Sequence, residues 1–200
     1  MFARATSLRE KCCSDDVLGL AHILNNTAAM YTRMGQYDNA VMLYQRALER
    51  YQQALGPTDV AVANAWNNLA LVQRDRGHHG EAEDLYQKAV AVWEQSGIKN
   101  HLGYASVLGN YGVLLARVHR YEEAERLYSR SLAILRSCCG EEHPEFARRL
   151  MDHAHILRKL NRKDEARISA ALADSIQRRR SSADMTSFTV DVEDLRKKPR

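Results

Sequence analysis

The chain lacks most of what would place it in a membrane, export it or cross-link it. No apolar run approaches the roughly 18 residues needed to span a bilayer. The opening MFARATSLRE lacks the apolar stretch of about 7–15 residues that a secretory signal requires, so none is expected. Cysteine is scarce: four among 200 residues, as the adjacent pairs Cys12–Cys13 and Cys138–Cys139. Neighbouring cysteines rarely bond each other because the backbone strains. A disulfide framework is thus not expected, and a reducing, cytoplasmic setting is. Nucleotide-cradling G-x-G-x-x-G and P-loop motifs are missing, as is the G-x-S-x-G of a serine nucleophile. The net charge of +4 is too mild to imply nucleic acid. Runs of β-branched alternation are absent too, which argues against a sheet.

What remains is an ordinary globular balance, 45% hydrophobic and 27% charged, enough for a continuous core. The two cysteine pairs, with His143 near the second, raise the question of a shared metal site. Their separation answers it. Cys12 to Cys138 is 126 residues, three times 42. Other columns keep that period: Ala40, Ala82, Ala124 and Ala166; Tyr44, Tyr86 and Tyr128, closed by Ala170; Asn26, Asn68 and Asn110, followed by Asp152. A fixed period of roughly 20–50 residues marks a repeat architecture.

Each repeat has two apolar stripes at helical spacing, such as Ala65, Trp66, Leu69, Ala70 and then Ala82, Leu85, Tyr86, Ala89. Between them lies a short turn at Gly35, Gly77, His119 and Asn161, where the first helix should end in a left-handed residue. Small residues at Ala28 with Ala40, Ala70 with Ala82, Gly112 with Ala124 and Ala154 with Ala166 permit close helix approach. The unit is therefore helix, turn, helix, and the fold class is all-α.

The residues Leu24, Ala28, Tyr31, Gly35, Tyr37, Ala40, Tyr44 and Ala47, the LGP at Leu55–Pro57 and the GEEHPEFA linker after Cys139 carry a resemblance. They resemble the tetratricopeptide repeat, in the long 42-residue form of kinesin light chains. The resemblance implies a right-handed α-solenoid with a concave groove lined by the first helices. It spans about residues 1–177: a half repeat at 1–14, then repeats near 21–62, 63–104, 105–146 and 147–177. Residues 178–200 are expected to form a disordered tail. RRRSS at Arg178–Ser182 resembles a basophilic kinase site, against the plainer reading of a solvated basic helix end.

No catalytic constellation emerges, so an enzyme is not expected, nor a cofactor. The cysteine pairs occupy one inter-repeat column, three repeats apart, and cannot share an ion. Cys138, Cys139 and His143 alone lack zinc spacing and a fourth ligand, so no metal site is expected. His143-Pro144 instead suits the start of a first helix, with proline at its first position.

Function is expected in the groove implied by the family. Off the core stripe, Asn25, Asn26, Asn67, Asn68 and Asn110 offer amide donors and acceptors of the kind an extended peptide needs. In related peptide-binding repeats the matching asparagine column contacts the ligand backbone; bonding within the scaffold is the equal alternative. Arg33, Arg74, Arg117 and Arg158 form a second row suited to carboxylates. Leu71 and Val113 supply apolar contacts. The Lys and Arg clamp of chaperone-tail binders has no counterpart here, so capture of such tails is not expected. A protein or peptide partner is therefore expected, with no nucleic acid and no membrane. The acidic TVDVEDL (Thr189–Leu195) could fill the groove in cis or in a neighbour. The alternative is a scaffold piece of a larger regulatory or enzymatic chain, self-associating through the half repeat or the tail.

Overall fold

The computed structural model describes residues 16–187, with side chains through Ser181. The expected half repeat at 1–14, Cys12, Cys13 and Thr189–Leu195 lie outside the described residues. Within them are eight helices: α1 (Val17–Arg33), α2 (Tyr37–Leu55), α3 (Val60–Asp75), α4 (His79–Gln95), α5 (Leu102–Arg117), α6 (Tyr121–Cys139), α7 (Pro144–Lys159) and α8 (Lys163–Ser187). They pair in sequence as four antiparallel hairpins stacked one on the next.

The turns explain the pairing. Gly35 and Gly77 have φ of 71° and 85°, and His119 and Asn161 take the same conformation at 63° and 60°. Such left-handed residues end a helix and reverse the chain. At each turn the residue after it donates its N–H to a carbonyl five residues back: Gln36 to Tyr31, His78 to Gln73, Arg120 to Leu115, Arg162 to Leu157. The small pairs do what their size allows: Ala28, Ala40, Ala70, Ala82, Ala124, Ala154 and Ala166 are wholly buried at the helix crossings. Gly112 goes further, since a Cβ there would lie 3.0 Å from the Tyr128 ring.

First helices begin on side-chain caps. Asp16, Asp59, His101 and His143 each accept an N–H from two or three residues on, at 2.8, 2.8, 2.9 and 3.2 Å. This satisfies a donor that the first turn leaves without a carbonyl. Pro144 follows His143 at the start of α7.

The boundaries differ from expectation at the start of every hairpin and at the end of the last helix. The hairpins start at Val17, Val60, Leu102 and Pro144, not near 21, 63, 105 and 147, the first on the Asp16 cap. The last helix runs to Ser187, so residues 178–187 are helix and not tail. Just before that stretch, Ala173 and Ile176 are buried against α6 and α7. Arg179 then pairs with the Glu142 carboxylate at 3.0 Å, and Arg180 donates to the Glu142 carbonyl at 3.2 Å.

Each first helix also touches the next first helix, α1 to α3, α3 to α5 and α5 to α7. Among the described residues the backbones of successive second helices stay apart. In a stacked array the closer row is the inner one, so α1, α3, α5 and α7 line the concave side.

Candidate functional site

The inner row carries the asparagines, and they bond one another across repeats. Asn68 Nδ2 donates to Asn25 Oδ1 at 3.0 Å, and Asn110 Nδ2 donates to Asn67 Oδ1 at 3.1 Å. Within each helix Asn25 donates to Asn26 at 3.5 Å and Asn67 to Asn68 at 3.4 Å. Each amide has two donor hydrogens and two acceptor lone pairs. The scaffold uses one donor each of Asn68 and Asn110, leaving capacity at every step. Asn26 is exposed, Asn25, Asn68 and Asn110 are half-buried, and Asn67 is buried. Leu71 and Val113 are half-buried on the same helices.

The arginine row divides. Arg33, Arg117 and Arg158 are exposed, but Arg74 is 9% exposed and not open as expected. Its guanidinium forks onto Asp75, Nη2 at 2.9 Å and Nε at 3.0 Å, and Arg117 of the next repeat approaches the same carboxylate at 3.6 Å. Asp75 thus holds two arginines across a joint, and Arg74 stabilises the scaffold. Below it Tyr86 stacks on Tyr111 at 5.6 Å, and burial pushes the Tyr86 phenol well above its usual pKa. Arg158 lies apart from the row, on a cleft between α7 and α8.

The amide ladder stops at the last joint, where Gly109 occupies the position of Asn25 and Asn67. A Cβ on Gly109 would fall 1.9 Å from Cζ of Arg149. Arg149 is 1% exposed and fills that space. It donates to Glu145 at 3.0 Å and to Asp152 at 3.3 Å, and lies 5.5 Å over the Tyr128 ring. Burial works against its charge, while Asp152 and then Glu145 favour it. Burial also lifts the Asp152 carboxyl, opposed by Arg149. Glu145 is pushed up by burial but ends below the usual range, because Arg148 and Arg149 both bond it. Sequence reasoning missed Arg149. The signal was present: its 42-residue column reads Ile23, Ala65, Val107, Arg149, and the adjoining asparagine column turns to glycine in the same joint.

Remaining chemistry is sparse. His143 Nδ1 is committed to its cap. Cys138 and Cys139 are free thiols with Sγ atoms 2.6 Å apart, and burial, then the neighbouring thiol, raises Cys138 to about 11. Among the described residues no three His, Cys, Asp or Glu side chains cluster as metal ligands, and no helix is long and apolar enough to cross a membrane.

A tetratricopeptide repeat family model matches residues 19–95 and 103–173, most of the chain. This chain belongs to the tetratricopeptide repeat family. No curated protein matches it. Its fold is similar to that of BtubC (BKLC) from P. vanneervenii: 22% identity, TM-score 0.77, covering 100% of this chain and 77% of that one. It is also similar to the nearly identical TPR-like repeats assigned to a kinesin light chain of Podosopora anserina, in a singly substituted form: 17% identity, TM-score 0.72, covering 90% and 85%. The apo form of RapI superposes at TM-score 0.77 with 16% identity, covering 92% of this chain and 66% of that one. At these identities the likenesses concern the fold.

Proposed function

We propose that this tetratricopeptide repeat chain is a non-enzymatic protein-interaction module that binds an extended acidic peptide along its inner row. The amide row carries the reading. Asn26, Asn68 and Asn110 recur at one spacing and keep hydrogen-bonding capacity beyond the scaffold bonds. An extended backbone presents donors and acceptors that such a row can pair. Exposed Arg33 and Arg117 supply forked donors for carboxylates, while Leu71 and Val113 offer apolar surface between steps. Arg74 acts indirectly, by fixing Asp75 against Arg117.

An array of extended acidic peptides, probed with the full chain and with an Asn68→Ala, Arg117→Glu double variant, tests this. The wild type should hold a defined set that the variant loses, and binding should weaken with added salt. If both proteins retain the same peptides, the inner row is not the site.

A further inference from the structure

The faces by which repeats stack share a chemistry that the last repeat breaks. At the joints of the second and third repeats, the second helix presents a glutamate, a tyrosine and an aliphatic residue. Glu83 takes Arg120 at 2.7 Å, and Glu125 takes Arg162 at 3.3 Å. Tyr86 stacks on Tyr111, and Tyr128 lies under Arg149. Val90 and Leu132 extend the stripe into the joint cores. The equivalent positions on α8 hold Arg167, Ala170 and Asp174, and Lys163 stands in the column of His79 and Tyr121.

These exchanges leave a cleft of about 540 Å³ where a tyrosine ring sits in the inner repeats, bordered by Arg158, Lys163, Arg167, Ala170, Ala171 and Asp174. Among the described residues Arg158 and Lys163 have no carboxylate partner. Arg167 has only the exposed Asp164, at 3.6 Å. A further repeat of the same type would bring the counterpart of Arg120 and Arg162 onto Arg167, like charge against like.

We propose that this end face docks an acidic peptide segment that supplies its own bulky apolar side chain. The location continues the surface that inner repeats use for stacking, and the charge has reversed. Carboxylates meet Arg158, Lys163 and Arg167, and an aromatic or aliphatic side chain fills the space over Ala170 and Ala171. Asp174, at the far end of the same helix face, repels acid there and so orients the segment. Apart from Arg158 on α7 the site lies on α8, away from the asparagine row, and it stands without that row.

Fluorescence anisotropy with the fluorescein-labelled peptide Glu-Leu-Glu-Trp-Glu-Leu-Glu, titrated with the full chain, tests the proposal. Lys163→Glu combined with Arg167→Glu should weaken binding about tenfold or more. Ala170→Tyr, which refills the cleft, should weaken it several-fold. The Asn68→Ala, Arg117→Glu variant should keep end-face binding, which separates this site from the inner row. All three positions on α8 are exposed or half-buried, and thermal melts are used to check that the variants fold. Undiminished binding in both end-face variants overturns the proposal, as does a full chain that fails to bind the peptide. Loss in the inner-row variant alone overturns it while supporting the groove.

Discussion

The first two joints of the solenoid are closed on their inner side by neutral amides, and the last by a buried guanidinium. Asn25 with Asn68 and Asn67 with Asn110 bond one another pairwise at 3.0 and 3.1 Å. Arg149 needs two carboxylates, a glycine that makes room for it, and the face of Tyr128, and its Nε still finds no partner. One backbone geometry thus accepts two solutions to the same gap. The amide solution is modular, because each asparagine bonds its counterpart in the next repeat. The guanidinium solution is concerted, because Gly109, Glu145, Arg149 and Asp152 must change together.

The largest effect should come from breaking the concerted joint. Arg149→Ala leaves Glu145 and Asp152 partly unpaired and opens a cavity, so urea denaturation should show a loss of about 3–5 kcal/mol. Gly109→Asn alone forces two side chains into one space and should also destabilise. Combining it with Arg149→Val, which empties the space beside position 109, relieves the overlap. The double variant should lose less than the sum of the single ones by more than about 1 kcal/mol. Strict additivity would mean that the two positions do not share the gap.

In the amide joints the effect is smaller. Asn67→Ala removes the acceptor of Asn110 and should cost about 1 kcal/mol in the same assay. A loss as large as that of Arg149→Ala would erase the distinction between the joints.

Acid sharpens the comparison next. His153 on α7 faces Glu125, Arg162 and Glu165, and burial lowers its pKa despite Glu125. Its folded value lies below the ordinary value near 6.5, so the unfolded chain takes the proton first. Stability from this group is present above the unfolded pKa and falls as pH drops through it toward the folded value. Thermal melts between about pH 7 and 5 should show a decline that His153→Gln reduces. An unchanged pH profile in the variant would assign the decline to other groups.

The turns give the smallest effect. The first half uses glycine at its left-handed positions, and the second half uses His119 and Asn161. Asn161→Gly should change stability by less than about 0.5 kcal/mol, since relief of strain offsets the added freedom of the unfolded chain. A loss above about 1 kcal/mol would show that the asparagine side chain, and not its φ, holds the turn.

Much of this was legible in the residues. The 42-residue columns place the hairpins, the small crossings and the four left-handed turns, because each depends on one residue type at one spacing. The inner-row asparagines were legible as a column, with groove and scaffold roles both open. The structure shows scaffold bonds within it, which leaves the peptide-binding role as the proposal. The arginines form no single column: Arg117 falls 42 residues after Asp75, and Arg74 one position earlier in its repeat, where it is buried against Asp75. The end of α8 was hidden because Arg179 and Arg180 are held by Glu142 in the linker between α6 and α7.

By itself the sequence determined the repeat, its helices and its turns, since these follow from local φ preferences and from apolar residues recurring at helical spacing. Tertiary structure alone decided which polar groups face the groove and which are used up inside it. It also set where the amide ladder gives way to Arg149. Those outcomes depend on side chains some 42 residues apart competing for one space and one set of hydrogen bonds. A guanidinium beside a missing Cβ is a property of two helices in contact, and neither helix carries it alone.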